Sequence, residues 1–242
     1  MPLFYLRRLT GRERTERANR HLARYLAGIA GAANAGGFLA VRQYTSHMSG
    51  IVSAMADNLA AGSVHLLLNG LAAVMTFLLG AFLTTLAVRW ARRHEMESIY
   101  ALPLLAEAVL LVIFGLTGRV FSGGYVLETV LLLCFTMGLQ NAIITKISDS
   151  VIRTTHLTGM VTDIGIALGR MAAHASESVE EEIRKVRLLG SLIALFFAGG
   201  VVGALGFKHV GFLFTLPLAA VLILLAAMPV LDDVRRMRSA AV

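Results

Sequence analysis

The chain has 242 residues, of which 57% are hydrophobic and only 15% charged, and its mean hydropathy is +0.72. Soluble domains carry roughly 25% charged residues, so this composition excludes a water-soluble globule of this size and a disordered chain, and the single cysteine, Cys134, excludes a disulfide scaffold. The net charge of +7, from 22 basic against 15 acidic residues, is spread between apolar runs with no basic face and no base-reading side chains, so no nucleic-acid partner is expected.

Residues 1–21 are rich in arginine and read as a basic cytoplasmic segment lying along a membrane face. A helix needs about 20 apolar residues to cross a hydrocarbon core of roughly 30 Å. Six stretches meet that need, at 22–41, 64–88, 100–118, 125–145, 188–207 and 210–228. The first, LARYLAGIAGAANAGGFLAV, is rich in Gly and Ala and carries Asn34 near its middle. Small residues of this kind serve close helix packing. Arg42, Gln43 and Tyr44 follow it where a signal peptide would show a small-x-small cleavage site, so it reads as a retained span. Two further apolar stretches, 50–61 and 159–172, are too short to cross comfortably and hold Asp57 and Asp163. They read as half-helices or re-entrant segments. Residues 174–187 set acids before bases and read as a short solvated helix, with Glu180 four residues from Arg184 and Glu181 four from Lys185. Residues 229–242 are expected to be a cytoplasmic tail.

The basic residues set the orientation. With the N-terminus inside and only the six long segments crossing, 19 of the 22 lysines and arginines fall on the cytoplasmic side. Only Arg42, Arg119 and Lys208 remain outside. That asymmetry is the positive-inside pattern. The expectation is a multi-pass protein of the cell inner (plasma) membrane with both termini cytoplasmic, and with anionic lipid as a secondary attraction.

The chain also repeats. Gly31-Ala32-Ala33-Asn34-Ala35 matches Gly138-Leu139-Gln140-Asn141-Ala142, and Thr45-Ser46-His47-Met48-Ser49-Gly50 matches Thr154-Thr155-His156-Leu157-Thr158-Gly159. Ile51-Val52-Ser53 then matches Met160-Val161-Thr162. Each half holds three spans and one short helix, as repeat 1 at 22–118 and repeat 2 at 125–228. An odd number of crossings inserts the second copy upside down, the plan of many secondary transporters. The expected fold is therefore an all-α polytopic membrane protein of six transmembrane helices, two inverted three-helix repeats each with a re-entrant half-helix.

The paired Asn-Ala dipeptides, the two T-[ST]-H-[ML]-[ST]-G motifs and the G-L-Q-N-A run resemble the YoaK-like (DUF1275) family of bacterial integral membrane proteins. The resemblance covers roughly residues 20–230. Many relatives carry Asn after the glycine of the first motif, where this chain has Ile51. The resemblance implies the membrane fold and no particular activity.

The motifs themselves suggest a polar site. A half-helix starting inside the bilayer exposes unpaired N–H groups, a partial positive pole suited to an anion or carboxylate. Ser49 and Thr158 are candidate caps, with Thr45 and Thr154 serving the preceding turns. Gly50 and Gly159 allow tight packing. His47 and His156 would stand beside these poles, and histidine carries protons near neutral pH. The bland alternative is that these residues only complete a re-entrant turn. A metal site is not expected, because two histidines supply half of a tetrahedral set and no compact further ligands follow. Of the acids, Glu107 lies mid-span and is the best proton-carrier candidate, with hydrogen-bonded packing as its alternative. Asp163 follows the second motif on a broken helix, whereas Asp57 and Glu128 suit wet helix ends. Asn34 and Asn141 are paired by the repeat and either line a pathway or hold the half-helices. Asn69 and His65 carry weaker signals, and Cys134 suits inert packing.

No nucleophile elbow, P-loop, zinc-protease or dinucleotide motif is present, so neither an enzyme nor a cofactor is expected. The reading is a secondary transporter or permease for a small polar or anionic solute, with protons as coupling ion. His47, His156, Ser49, Thr158, Gly50, Gly159, Asn34, Asn141, Asp163 and Glu107 are its candidate substrate or ion residues. The alternatives are a structural or regulatory subunit and, less favoured, a membrane-embedded enzyme. Gly-rich faces in spans one and five are candidates for packing within one chain or in a homo-oligomer.

Overall fold

A computed structural model describes residues 2–12, 14–41, 43–121, 126–147, 155–173 and 179–240. The described residues form nine α-helices: α1 (Pro2–Thr10), α2 (Glu16–Val41), α3 (Met48–Ala60), α4 (Val64–Arg93), α5 (Ala101–Phe121), α6 (Val126–Ile147), α7 (Leu157–Ala172), α8 (Val179–Val210) and α9 (Thr215–Ala240). A short 3-10 turn, Gly211–Phe214, joins α8 to α9, and no strand occurs among the described residues.

Four segments are long and apolar enough to cross a membrane: Val64–Arg93, Ala101–Gly118, Val126–Ile147 and Val179–Ser239. The last contains two helices. Gly211 adopts φ +70° at the break, a left-handed conformation that glycine takes without a Cβ clash. There Phe212 packs edge-on to both Phe114 of α5 and Phe207 of α8. The ends of α5 and α8 and the start of α9 therefore share one end of the molecule. Helix α2 is not one of these segments, and much of it faces protein. Leu22, Ala23, Leu26, Ala27, Ala30 and Ala32 are among its buried residues. By contrast, α4 exposes Leu68, Leu71, Met75, Leu78 and Phe82, an apolar surface too extensive for water.

Helix registers give directions. Gly28, Ala32 and Gly36 of α2 meet Gly199, Gly203 and Phe207 of α8 in the same order, so these two helices are parallel. Gly80 and Thr84 of α4 meet Phe135 and Leu139 of α6 in the same order, so these are parallel too. Helix α9 runs against α5. Thr215 Oγ1 donates to the Leu111 carbonyl (2.7 Å), while at the far end Asp233 accepts from the Glu97 and Ser98 N–H groups (2.7 and 2.9 Å) just before α5. Asn19 near the start of α2 donates to the carbonyl of Ile147 at the end of α6 (3.0 Å), so those two are antiparallel. Thus α2, α5 and α8 run one way and α4, α6 and α9 the other.

Most of the packed pairs correspond, although the α5–α6 contact has no comparable α9–α2 counterpart. Exchanging α2 with α6, α3 with α7, α4 with α8 and α5 with α9 carries the α2–α8 contact onto α6–α4 and the α3–α4 contact onto α7–α8. The α5–α9 and α2–α6 contacts map onto themselves. The glycines at the two crossings correspond as well. A Cβ on Gly31 would strike the Phe196 carbonyl and one on Gly138 the Phe77 carbonyl. One on Gly199 would strike the Gly28 carbonyl and one on Gly80 the Phe135 carbonyl. The Gly-rich face of α8 is thus occupied within the chain by α2.

The end that carries α1 is polar. Arg7 pairs bidentately with Asp232 (2.6 and 2.7 Å), Thr10 donates to the Leu225 carbonyl and Arg236 pairs with Glu97. The Arg14 guanidinium lies 4.8 Å over the Tyr100 ring. Its terminal nitrogens have no hydrogen-bond partner, and burial pushes its pKa down to about 10.

Several expected boundaries shift. The solvated helix at 174–187 and the span at 188–207 are one helix from Val179. No proline intervenes there, and 32 residues extend about 48 Å, longer than the bilayer core. On it Arg184 lies within 3.8 Å of both Glu180 and Glu181, while Lys185 turns to Asp163 of α7 (3.5 Å). The expected tail beyond 229 is helical to Ala240, through Pro229.

Candidate functional site

The doubled motif folds twice in the same way. After α2 ends, the chain doubles back along it. Ser46 Oγ then donates to Asn34 Oδ1 (2.9 Å), and Thr45 is buried beside Gly37. In the second half Thr155 Oγ1 donates to Asn141 Oδ1 (2.5 Å), and Asn141 Nδ2 donates to the Met137 carbonyl (2.8 Å). Asn34 holds Ser46 ahead of α3 and Asn141 holds Thr155 ahead of α7, and Asn34 also borders a cavity between α2 and α8. Thr154 lies outside the described residues.

The capping expectation needs correction. His47 and His156, not Ser49 and Thr158, stand at the N-cap positions of α3 and α7, and neither makes a side-chain cap hydrogen bond. The helices start earlier than the motif suggested, which places Ser49 and Thr158 inside their first turns, on exposed positions. Ser49 Oγ lies 3.5 Å from His47 Nε2. Each histidine ring folds over the glycine of its own first turn. A Cβ on Gly50 would strike the His47 ring and one on Gly159 the His156 ring. The glycines therefore leave room for the imidazoles. Both rings are exposed, so each helix offers first-turn N–H groups beside an accessible imidazole. Unpaired N–H groups of this kind are chemically suited to an anion or carboxylate.

The other candidates are dispersed. Glu107 is 1% exposed in the helix core, far from water. Its Oε1 accepts from Gln140 Nε2 (2.7 Å). Glu107 Oε2 and Gln140 Oε1 are both buried without partners. Asp163 is half-exposed and pairs with Lys185 on the surface of the α7–α8 hairpin. Asp57 is exposed near the end of α3, and Cys134 is buried. Among the described residues no three His, Cys, Asp or Glu side chains are grouped to hold a metal ion.

A cavity of about 490 Å³ lies between α2 and α8. Asn34 and Tyr44 border it from the first motif region and Leu157 from the second, with Phe38 and Phe196 completing an apolar wall. Neither histidine lines it. The sequence reading missed Ser46 and Thr155 as the anchoring donors, although the hydroxyl before each histidine was visible in both motifs. It also missed the partnership of Gln140 with Glu107, since nothing in one chain's sequence shows which neighbour α5 will face.

No curated protein and no solved structure matches the chain. A family model described as a protein of unknown function matches residues 22–228, and the chain belongs to that family, DUF1275.

Proposed function

We propose that the protein is a secondary transporter or permease of the cell inner membrane, with both termini cytoplasmic, for a small polar or anionic solute coupled to protons. In this reading α2, α4, α5, α6, α8 and α9 are six spans in two inverted repeats, and α3 and α7 are the re-entrant half-helices. The observation that carries it is the doubled anchoring of Ser46 to Asn34 and Thr155 to Asn141. Each anchor delivers an accessible histidine to an uncapped helix start. The corresponding helix pairs and the alternating helix directions favour the inverted arrangement. The solute is held by first-turn N–H groups and the two imidazoles, while Glu107 or Asp163 handles the proton. Rocking of one repeat against the other alternates access.

The test uses purified protein in sealed vesicles carrying an internal pH dye, challenged with small carboxylates, inorganic anions and neutral polar solutes. A solute-dependent pH change is expected, absent from the His47→Ala/His156→Ala double variant when that variant still melts cooperatively. Undiminished flux in the double variant removes the histidines from the mechanism.

A structural or regulatory subunit is the second reading. It draws on the internal use of the motif: Ser46, Thr155, Gly50 and Gly159 all serve contacts within the chain. It predicts no solute-dependent flux and copurification with a partner protein.

A further inference from the structure

We propose that the cavity among α3, α4 and the start of α6 binds an amphiphilic primary ammonium ion, with Glu128 taking its charged end. The cavity holds about 500 Å³ and has walls of two kinds. Ile51 and Met55 of α3 belong to its apolar floor. Gln43 of the connection, Asn58 of α3, Asn69 of α4 and Glu128 of α6 bring three carboxamides and one carboxylate to the same space.

None of these four side chains makes a hydrogen bond or ion pair with another described residue. Glu128 is exposed and the three amides are half-buried, so no protein partner competes with a ligand for their bonding capacity. Glu128 of α6 is brought to the consecutive stretch that holds Gln43, Asn58 and Asn69, so the grouping of the carboxylate with the amides belongs to the tertiary fold. A carboxylate beside amide oxygens suits N⁺–H donors, which form the stronger, charge-assisted kind of hydrogen bond. A short hydrocarbon body then covers the apolar floor. An anionic head would meet the charge of Glu128 instead.

The second half of the chain argues that the two asparagines are not a demand of the architecture. The residue as far beyond His156 as Asn58 is beyond His47 is Ala167. The residue as far before Gly199 as Asn69 is before Gly80 is Leu188. The α7–α8 hairpin thus packs with apolar side chains at the two places matching Asn58 and Asn69, and carries its own polar pair, Asp163 and Lys185, at the places matching Ala54 and Leu66. The asparagines of the α3–α4 hairpin are surplus to packing and available for recognition. The site is separate from the two histidine loops and does not rest on the transport reading.

The test is calorimetric titration of the purified full chain in detergent with n-hexylammonium, and with hexanol and hexanoate as probes with the same six-carbon body. Hexylammonium is expected to bind saturably, at least tenfold more tightly than either comparison probe. Glu128→Gln is expected to weaken it at least tenfold. Asn69→Leu, which installs the residue found at the matching place in α8, should weaken it severalfold. Both variants should keep the melting temperature of the parent chain. If Glu128→Gln does not fold, Asn69→Leu and the comparison of the three probes on the parent chain decide the matter. Equal affinity for hexanol and hexylammonium, an unchanged affinity in the folded variants, or unsaturable uptake that marks partition into micelles would each overturn the proposal. Binding is read here without a sealed compartment, so its failure and a failure of vesicle flux are separate results.

Discussion

Glu107 and Gln140 show what a single polar pair does in an apolar bundle. Each has one atom engaged in their shared hydrogen bond and one buried atom without a partner. Removing one member leaves the other wholly unsatisfied, which costs about 1–3 kcal/mol, whereas removing both is close to neutral. Gln140→Leu should therefore lower the melting temperature in detergent, and Glu107→Leu/Gln140→Leu should recover most of the loss. A double variant that melts lower than the single one would mean the pair is favourable beyond its own satisfaction. Under the transport reading the double variant also loses proton coupling where Glu107 rather than Asp163 carries the proton, so stability and flux separate. Glu107 stood out in the sequence as a carboxyl in mid-span. Its partner did not, because Gln140 was one of two polar groups in G-L-Q-N-A and only the apposition of α5 and α6 selects it.

At the scale of elements, the α2–α8 and α4–α6 crossings depend on bare glycine. At Gly31 and Gly138 the space for a methyl is taken by a backbone carbonyl of the facing helix, which cannot turn aside as a side chain would. Overpacking a well-filled contact costs about 1–3 kcal/mol. Gly31→Ala and Gly138→Ala should each lower the melting temperature by an amount of that order. Gly190→Ala, in α8 with open space around it, should leave stability unchanged or raise it, since alanine favours helix by about 0.5–1 kcal/mol. Equal effects at all three positions would refute the close approach. The short helices were legible as apolar runs of the wrong length for a span, and the repeat was legible from its motifs. Their starts were not. Ser and Thr favour caps in isolation, but the anchor at Asn34 or Asn141 fixes where the chain turns, and that puts the histidines at the helix ends.

For the whole molecule, the testable quantity is which end faces which compartment. Native Cys134 is buried, so introduced cysteines report with little background. In intact cells a membrane-impermeant maleimide should label Ala61→Cys, in the α3–α4 turn, and should reach His94→Cys, after α4, only once the membrane is permeabilised. The opposite pattern would invert the orientation assigned from the arginines. By itself the sequence determined that this is an all-helical chain with apolar helices of membrane length, and that its two halves share sequence motifs. These properties reside in local composition and spacing, and they survive in any arrangement of the helices. Only the tertiary structure decided that α2 pairs with α8 and α4 with α6. It likewise brought Gln140 to Glu107 and gathered Gln43, Asn58, Asn69 and Glu128 around one cavity. Those outcomes depend on contacts between residues far apart in the chain, and hydropathy, blind to direction around a helix, carries no information about which face meets which neighbour.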